Sequence, residues 1–81
     1  MPRCLVVDLG AATEIGVRLT ADALVAAETP NAEQVGLIAV DTDGDWMGTV
    51  VIRTDDPVAA AERVGAMMLP AVVGWHVEEE F

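Results

Sequence analysis

The residues able to do chemistry are few in this chain of 81 residues, and their types exclude most enzymes. Serine, tyrosine and lysine are absent, which excludes a serine nucleophile, a Schiff-base lysine and the lysine of a phosphate-binding loop. Cys4 and His76 are the single cysteine and the single histidine. Acidic residues, Asp8 near Cys4 and Glu78 near His76, would disfavour a reactive thiolate. We therefore expect no catalytic residue and no enzyme activity.

Two acidic groupings have the residue types of metal ligands without the required spacing. Counted from Asp41, a calcium loop of the EF-hand type would need glycine where Trp46 stands and glutamate where Ile52 stands. A second grouping alternates along the last predicted strand, with steps of about 6.7 Å that are too long for one ion. It consists of His76, Glu78 and Glu80. A complete site there would need ligands from another subunit, so we predict no metal and no cofactor.

Charge is the strongest functional signal in the sequence. Fourteen Asp and Glu against four Arg give a formal net charge of −10, which opposes direct binding to nucleic acid. The acids either keep a small apolar protein soluble or recognise a basic partner, including a groove that otherwise holds nucleic acid. The leading hypothesis is a small acidic non-enzymatic protein-interaction module: an inhibitor, an immunity protein or an adaptor.

The predicted partner-binding residues form two groups. Asp43 and Asp45 flank the glycine of a predicted hairpin turn, and Trp46 beside them offers the large contact area of a hot-spot residue. Glu78 and Glu80 form the second group, on the last predicted strand. We expect the carboxylates to guide the encounter with a basic partner and Trp46 to anchor the complex.

The elements that position these residues form one α+β domain over residues 1–81. Short apolar or alternating runs predict strands at residues 5–9, 14–20, 35–41, 47–54 and 71–78. Thr20 and Asp56 are predicted N-caps of two helices, which end before Pro30 and Pro70; the second buries Val58, Ala61, Val64, Gly65 and Met68. The resulting fold is a single antiparallel-rich sheet with two helices on one face, in the order ββαββαβ.

A helical segment at residues 14–20 is the alternative, starting at Thr13 and burying Ile15 and Leu19. The order then becomes βαββαβ, which is ferredoxin-like. This order resembles that of small regulatory ligand-binding modules of the ACT type. The resemblance implies the alternative function, a homo-oligomeric module that binds a small molecule between subunits.

The predicted sheet also leaves apolar residues, such as Val6 and Val51, on the face away from the helices. A chain of this length buries a small core, so contacts between subunits would add useful stability. We therefore expect a homo-oligomer, with a homodimer as its simplest form, or a partner that covers this face.

Composition also indicates where the protein acts. No apolar run is long enough to span a bilayer, and no basic segment precedes the first apolar run. A lone cysteine fits a reducing compartment, so we expect a cytoplasmic protein with no membrane partner. Abundant Ala, Val and Gly, with Arg but no Lys, favour a bacterial or phage source.

Overall fold

A computed structural model describes residues 3–40 and 44–79 of the chain. The elements are β1 (Arg3–Ala11), α1 (Glu14–Glu28), β2 (Ala32–Val40), β3 (Asp45–Thr54), α2 (Pro57–Ala66) and β4 (Val72–Glu79). The strands form an antiparallel sheet in the spatial order β2-β3-β1-β4, and both helices pack on one of its faces. The predicted α+β class and antiparallel sheet are confirmed, with the βαββαβ order of the ferredoxin-like alternative.

The predicted strand over residues 14–20 is wrong, because these residues form the first half of α1. The Thr13 hydroxyl accepts a hydrogen bond from the backbone N–H of Gly16 at 3.1 Å, which caps the helix. The helix buries positions spaced as one helical face: Val17, Thr20, Ala21 and Leu24. Ile15 and Leu19, which the helical alternative placed in the buried stripe, are exposed.

Thr20 is not an N-cap, since it lies inside α1. Its hydroxyl donates to the carbonyl oxygen of Gly16, one turn earlier, at 2.8 Å. Helix α1 ends at Glu28, two residues before Pro30, as expected.

The predicted hairpin is present between β2 and β3, with Val40 opposite Asp45. Gly44 has a φ of +72°, the left-handed conformation for which glycine is favoured. The other turn residues, 41–43, lie outside the described part of the chain. Gly44 therefore confirms the expected turn chemistry at the one position that can be examined.

Helix α2 begins where the sequence predicts. Oδ1 of Asp56 accepts a hydrogen bond from the backbone N–H of Ala59 at 3.1 Å, and Pro57 occupies the first helical position. The buried face consists of Pro57, Ala60 and Val64. Val58, Gly65 and Met68 are exposed, so that part of the predicted stripe is wrong. The buried face of α2 is rotated around the helix axis relative to the predicted one. The reason is that α2 packs mainly on β1 and β3.

The core lies between the helices and the sheet. At its centre, β1 turns alternate residues toward the helices, as the sequence predicts. Leu5, Val7 and Leu9 are fully buried against the helices. They are joined by side chains of β3 and both helices: Val17, Ala21, Leu24, Val50, Ile52, Ala60 and Val64. The other face of the sheet carries no helix, and it holds most of the polar strand residues.

Candidate functional site

The sheet face that carries no helix is called the open face here. Strand pairing sets Val6 of β1 between Val51 of β3 and His76 of β4 on this face. Val6 and its neighbour Cys4 are nevertheless buried. Side chains of the adjacent strands therefore cover these two residues without a second layer, and self-association through the open face stays a prediction.

His76 belongs to a polar group on the open face. Its Nε2 lies 3.2 Å from Oε1 of Glu78, and its Nδ1 lies 4.0 Å from Oδ2 of Asp8. The Cys4 thiol donates to the backbone carbonyl of Glu78 at 3.6 Å. Across residues 3–40 and 44–79, no three His, Cys, Asp or Glu side chains are grouped so as to hold a metal ion. His76 therefore lies between the carboxylates of Glu78 and Asp8.

A cavity of about 390 Å³ lies at the end of the sheet where β1 finishes and β3 begins. We call it the Trp46 notch, and it is lined by Gly10, Ala11, Ala12, Asp45, Trp46, Met47 and Val73. A Cβ atom at Gly10 would lie 3.4 Å from Cγ1 of Val73. Because glycine has no side chain, the space beside Val73 stays open as part of the notch. Val73 reaches the notch because the β1–β4 register shifts beside it.

Two residues of the first predicted partner-binding group, Asp45 and Trp46, line this notch. Asp45 is exposed at the start of β3, and Trp46 follows it opposite Ala11. Trp46 is half-buried and packs against the core, so only part of its indole is available to a partner. Asp43 lies outside the described residues.

Glu78, from the second predicted group, lies at the other end of the sheet. Glu78 is exposed and stands opposite Cys4, near the start of β1. Trp46 stands opposite Ala11, so the two groups are separated by about 23 Å along β1 at about 3.3 Å per residue. Glu80 lies outside the described residues. Asp45 and Trp46 therefore lie on a different part of the surface from Glu78.

A larger cavity of about 570 Å³ lies near the start of β1 and the end of α1, and sequence reasoning missed it. Arg3, Arg53 and Arg63 line it, together with Asn31 and the acidic residues Glu28, Asp55 and Asp56. The guanidinium of Arg63 donates to both carboxylate oxygens of Glu28, at 2.6 Å and 3.1 Å. These hydrogen bonds raise the pKa of Arg63 above its usual value. The arginines are far apart in sequence, so no local motif indicated this cavity.

Trp75 is a second feature that sequence reasoning did not single out. It lies on β4, and 51% of its surface is exposed, more than expected for a large aromatic residue beside a core. In the sequence, the feature that pointed to an exposed Trp75 is its position in an alternating run that leads into consecutive glutamates.

Comparison with known proteins identifies the fold. No protein-family model matches the chain, and no curated protein matches it. Among solved structures it is similar to the de novo designed protein Foldit4, with a TM-score of 0.58 and 19% sequence identity. The match covers 96% of this chain and 92% of that one. The likeness shows the fold alone.

Within residues 3–40 and 44–79, no helix is both long enough and apolar enough to cross a lipid bilayer.

Proposed function

We propose that this protein is a small acidic, non-enzymatic interaction module that holds a cationic side chain of a basic partner in the Trp46 notch. The observation that carries the proposal is that Asp45 and Trp46 line the same largely apolar cavity. A lysine or arginine has an apolar stem and a cationic tip, so its stem would lie along Met47 while the tip meets Asp45, which projects from the same side of β3.

The distribution of charge supports a basic partner. Three arginines are already paired with glutamates: Arg18 with Glu14, Arg53 with Glu33, and Arg63 with Glu28. Among the ion pairs of the described residues, none includes Asp45. Since the chain has a formal charge of −10, its field attracts cationic surfaces from a distance, and the unpaired carboxylate of Asp45 supports the notch as the proposed point of contact.

The proposal is tested by titrating the protein with a capped tetralysine peptide and following the two tryptophan indole N–H signals by NMR. We expect the Trp46 signal and the Asp45 and Met47 amides to shift, and the affinity to fall as salt is added. A Trp75→Phe variant assigns the indole signals, and a capped tetraglutamate peptide is the control. Binding that leaves the notch signals unchanged, or no binding at low salt, would contradict the proposal.

A second candidate function, a homo-oligomeric module that binds a small molecule, is supported by the arginine-lined cavity. Arg3 enters this cavity and has no ion pair with another described residue, so it is available to a carboxylate or phosphate. We expect a ligand of this class to raise the melting temperature, and Arg3→Gln to abolish the rise. Light scattering should then give a mass above that of the 8.5 kDa monomer. A monomer that no small anion stabilises would refute this candidate.

A further inference from the structure

We propose that the outer edge of β4 binds an extended segment of the partner as an added strand, and that this segment alternates cationic and apolar side chains. The inference rests on the proposed function, since it takes the partner to be basic. It adds the backbone geometry of the complex and the side-chain pattern of the bound segment.

The edge of β4 is available for pairing. In the spatial order β2-β3-β1-β4, β4 is an edge strand that pairs with β1 and with no other described strand, so alternate backbone N–H and C=O groups point away from the sheet. The register is regular from Gly74 opposite Asp8 to Glu79 opposite Arg3, and the bulge is confined to the start of the strand. Residues 72–79 contain no proline and no lysine, the residues that commonly block pairing at an exposed strand edge. Such an edge is a template for strand addition.

On its helix side, β4 exposes an apolar surface. Trp75 pairs with Val7 and Val77 pairs with Leu5, so both point to the same side as the core. They remain 51% and 42% exposed, because α2 packs mainly on β1 and β3. The tryptophan and the valine therefore lie beside the core and are only partly covered.

Helix α2 extends this apolar surface. Arg63 points toward α1, where it binds Glu28, so the opposite flank of α2 faces the β4 side of the sheet. That flank carries Val58, which is 63% exposed, followed by Ala61 and Gly65. A Cβ atom at Gly65 would meet nothing within 4 Å, so the space beside it is open. Together with Trp75 and Val77, these residues form what we call the β4 shelf.

The open-face side of β4 is polar and acidic. His76 and Glu78 project there, and Asp8 of β1 lies next to them. Side chains of an added strand alternate between the two sides of a sheet. Those on one side would meet the β4 shelf and those on the other would meet Glu78, which accounts for the proposed alternation of apolar and cationic residues.

Two observations favour a basic segment on β4 over pairing at β2 or pairing with a second copy of the chain. The other edge strand, β2, is covered on its helix side by α1, and its Ala32 and Leu37 pack against the core. A second copy of the chain would bring another formal charge of −10 to the same edge, which opposes self-pairing. A basic segment is instead attracted by the carboxylates at the end of β4.

The experiment uses a capped octapeptide that alternates lysine and valine, matching the eight residues of β4. Binding to the full chain is followed by NMR and by amide hydrogen exchange. A peptide of the same composition in lysine-lysine-valine-valine order is the sequence control. Two further versions carry N-methyl groups on alternate residues, one set on the lysines and the other on the valines. Since an added strand uses one edge of its backbone, one methylated set should weaken binding at least about tenfold and the other should bind nearly as well.

We expect the alternating peptide to slow exchange of the outward amides of β4 and to shift the Trp75 indole signal. Shifts confined to the Trp46 notch would overturn the edge proposal while leaving the proposed function intact. Equal weakening by both methylated sets, or by neither, would also overturn the edge proposal. Concentration-dependent protection of β4 without any peptide would assign the edge to a second copy instead. If no lysine peptide binds, the proposed function fails together with this inference.

Discussion

Gly48→Ala should destabilise the protein by about 1–3 kcal/mol, with a larger loss for Gly48→Val. Glycine to alanine within a strand usually gains stability, because glycine loses more backbone entropy on folding. At Gly48 the sign should be reversed, since a Cβ atom would lie 2.7 Å from Cγ1 of Val17 and 3.1 Å from the carbonyl oxygen of Gly36. Val17 is fully buried and stiff at χ1, so α1 must move away from the sheet. The loss is large for so small a domain.

Urea unfolding measures this difference, and the chain offers a matched control. Gly65→Ala adds the same methyl group on α2, where nothing lies within 4 Å, so it should be neutral or stabilising by up to about 1 kcal/mol. A Val17→Ala and Gly48→Ala double-mutant cycle should show a favourable coupling, because the smaller residue at 17 relieves the contact. Equal stability of the two glycine variants would mean that α1 does not approach β3 as closely as described.

Residues 14–20 carry sequence features of both a strand and a helix, which explains why a strand was predicted there. Alternation over seven residues fits a strand, but one of its apolar members, Val17, also begins a helical face that continues to Leu24. The local signals for a helix were present: the Thr13 cap and the Glu14–Arg18 pair, whose charged atoms lie 2.7 Å apart. A window that stopped at residue 20 gave these signals too little weight.

The candidate site could be predicted only where its residues are neighbours in sequence. Asp45 and Trp46 are adjacent, so their shared position beside the turn followed from the sequence. The notch also needs Gly10 and Val73, which only the strand order and the β4 bulge bring to them. The exposure of Trp75 depends on where α2 packs, which no local pattern contains.

The half-buried position of Trp46 changes the choice of mutation for testing the notch. Because its ring packs against the core, Trp46→Ala should lower stability as well as speed dissociation of a partner. A loss of binding by that variant would not separate contact from folding. Asp45 is exposed and belongs to no core cluster, so its substitution reports on recognition alone.

Asp45→Lys should weaken binding of the tetralysine peptide about tenfold, while Asp22→Lys should change it little. Both substitutions alter the net charge equally, and Asp22 is exposed on α1, which packs on the helix side of the sheet. The shared loss of long-range attraction appears in both variants as a slower association, and it shrinks as salt rises. The additional loss at Asp45 comes from replacing a direct contact with a repulsion, so it should persist at moderate salt. Affinity and association rate measured for both variants across a salt series separate these contributions. Identical curves would mean that the carboxylates act only through net charge, and the Trp46 notch would then not be the binding site.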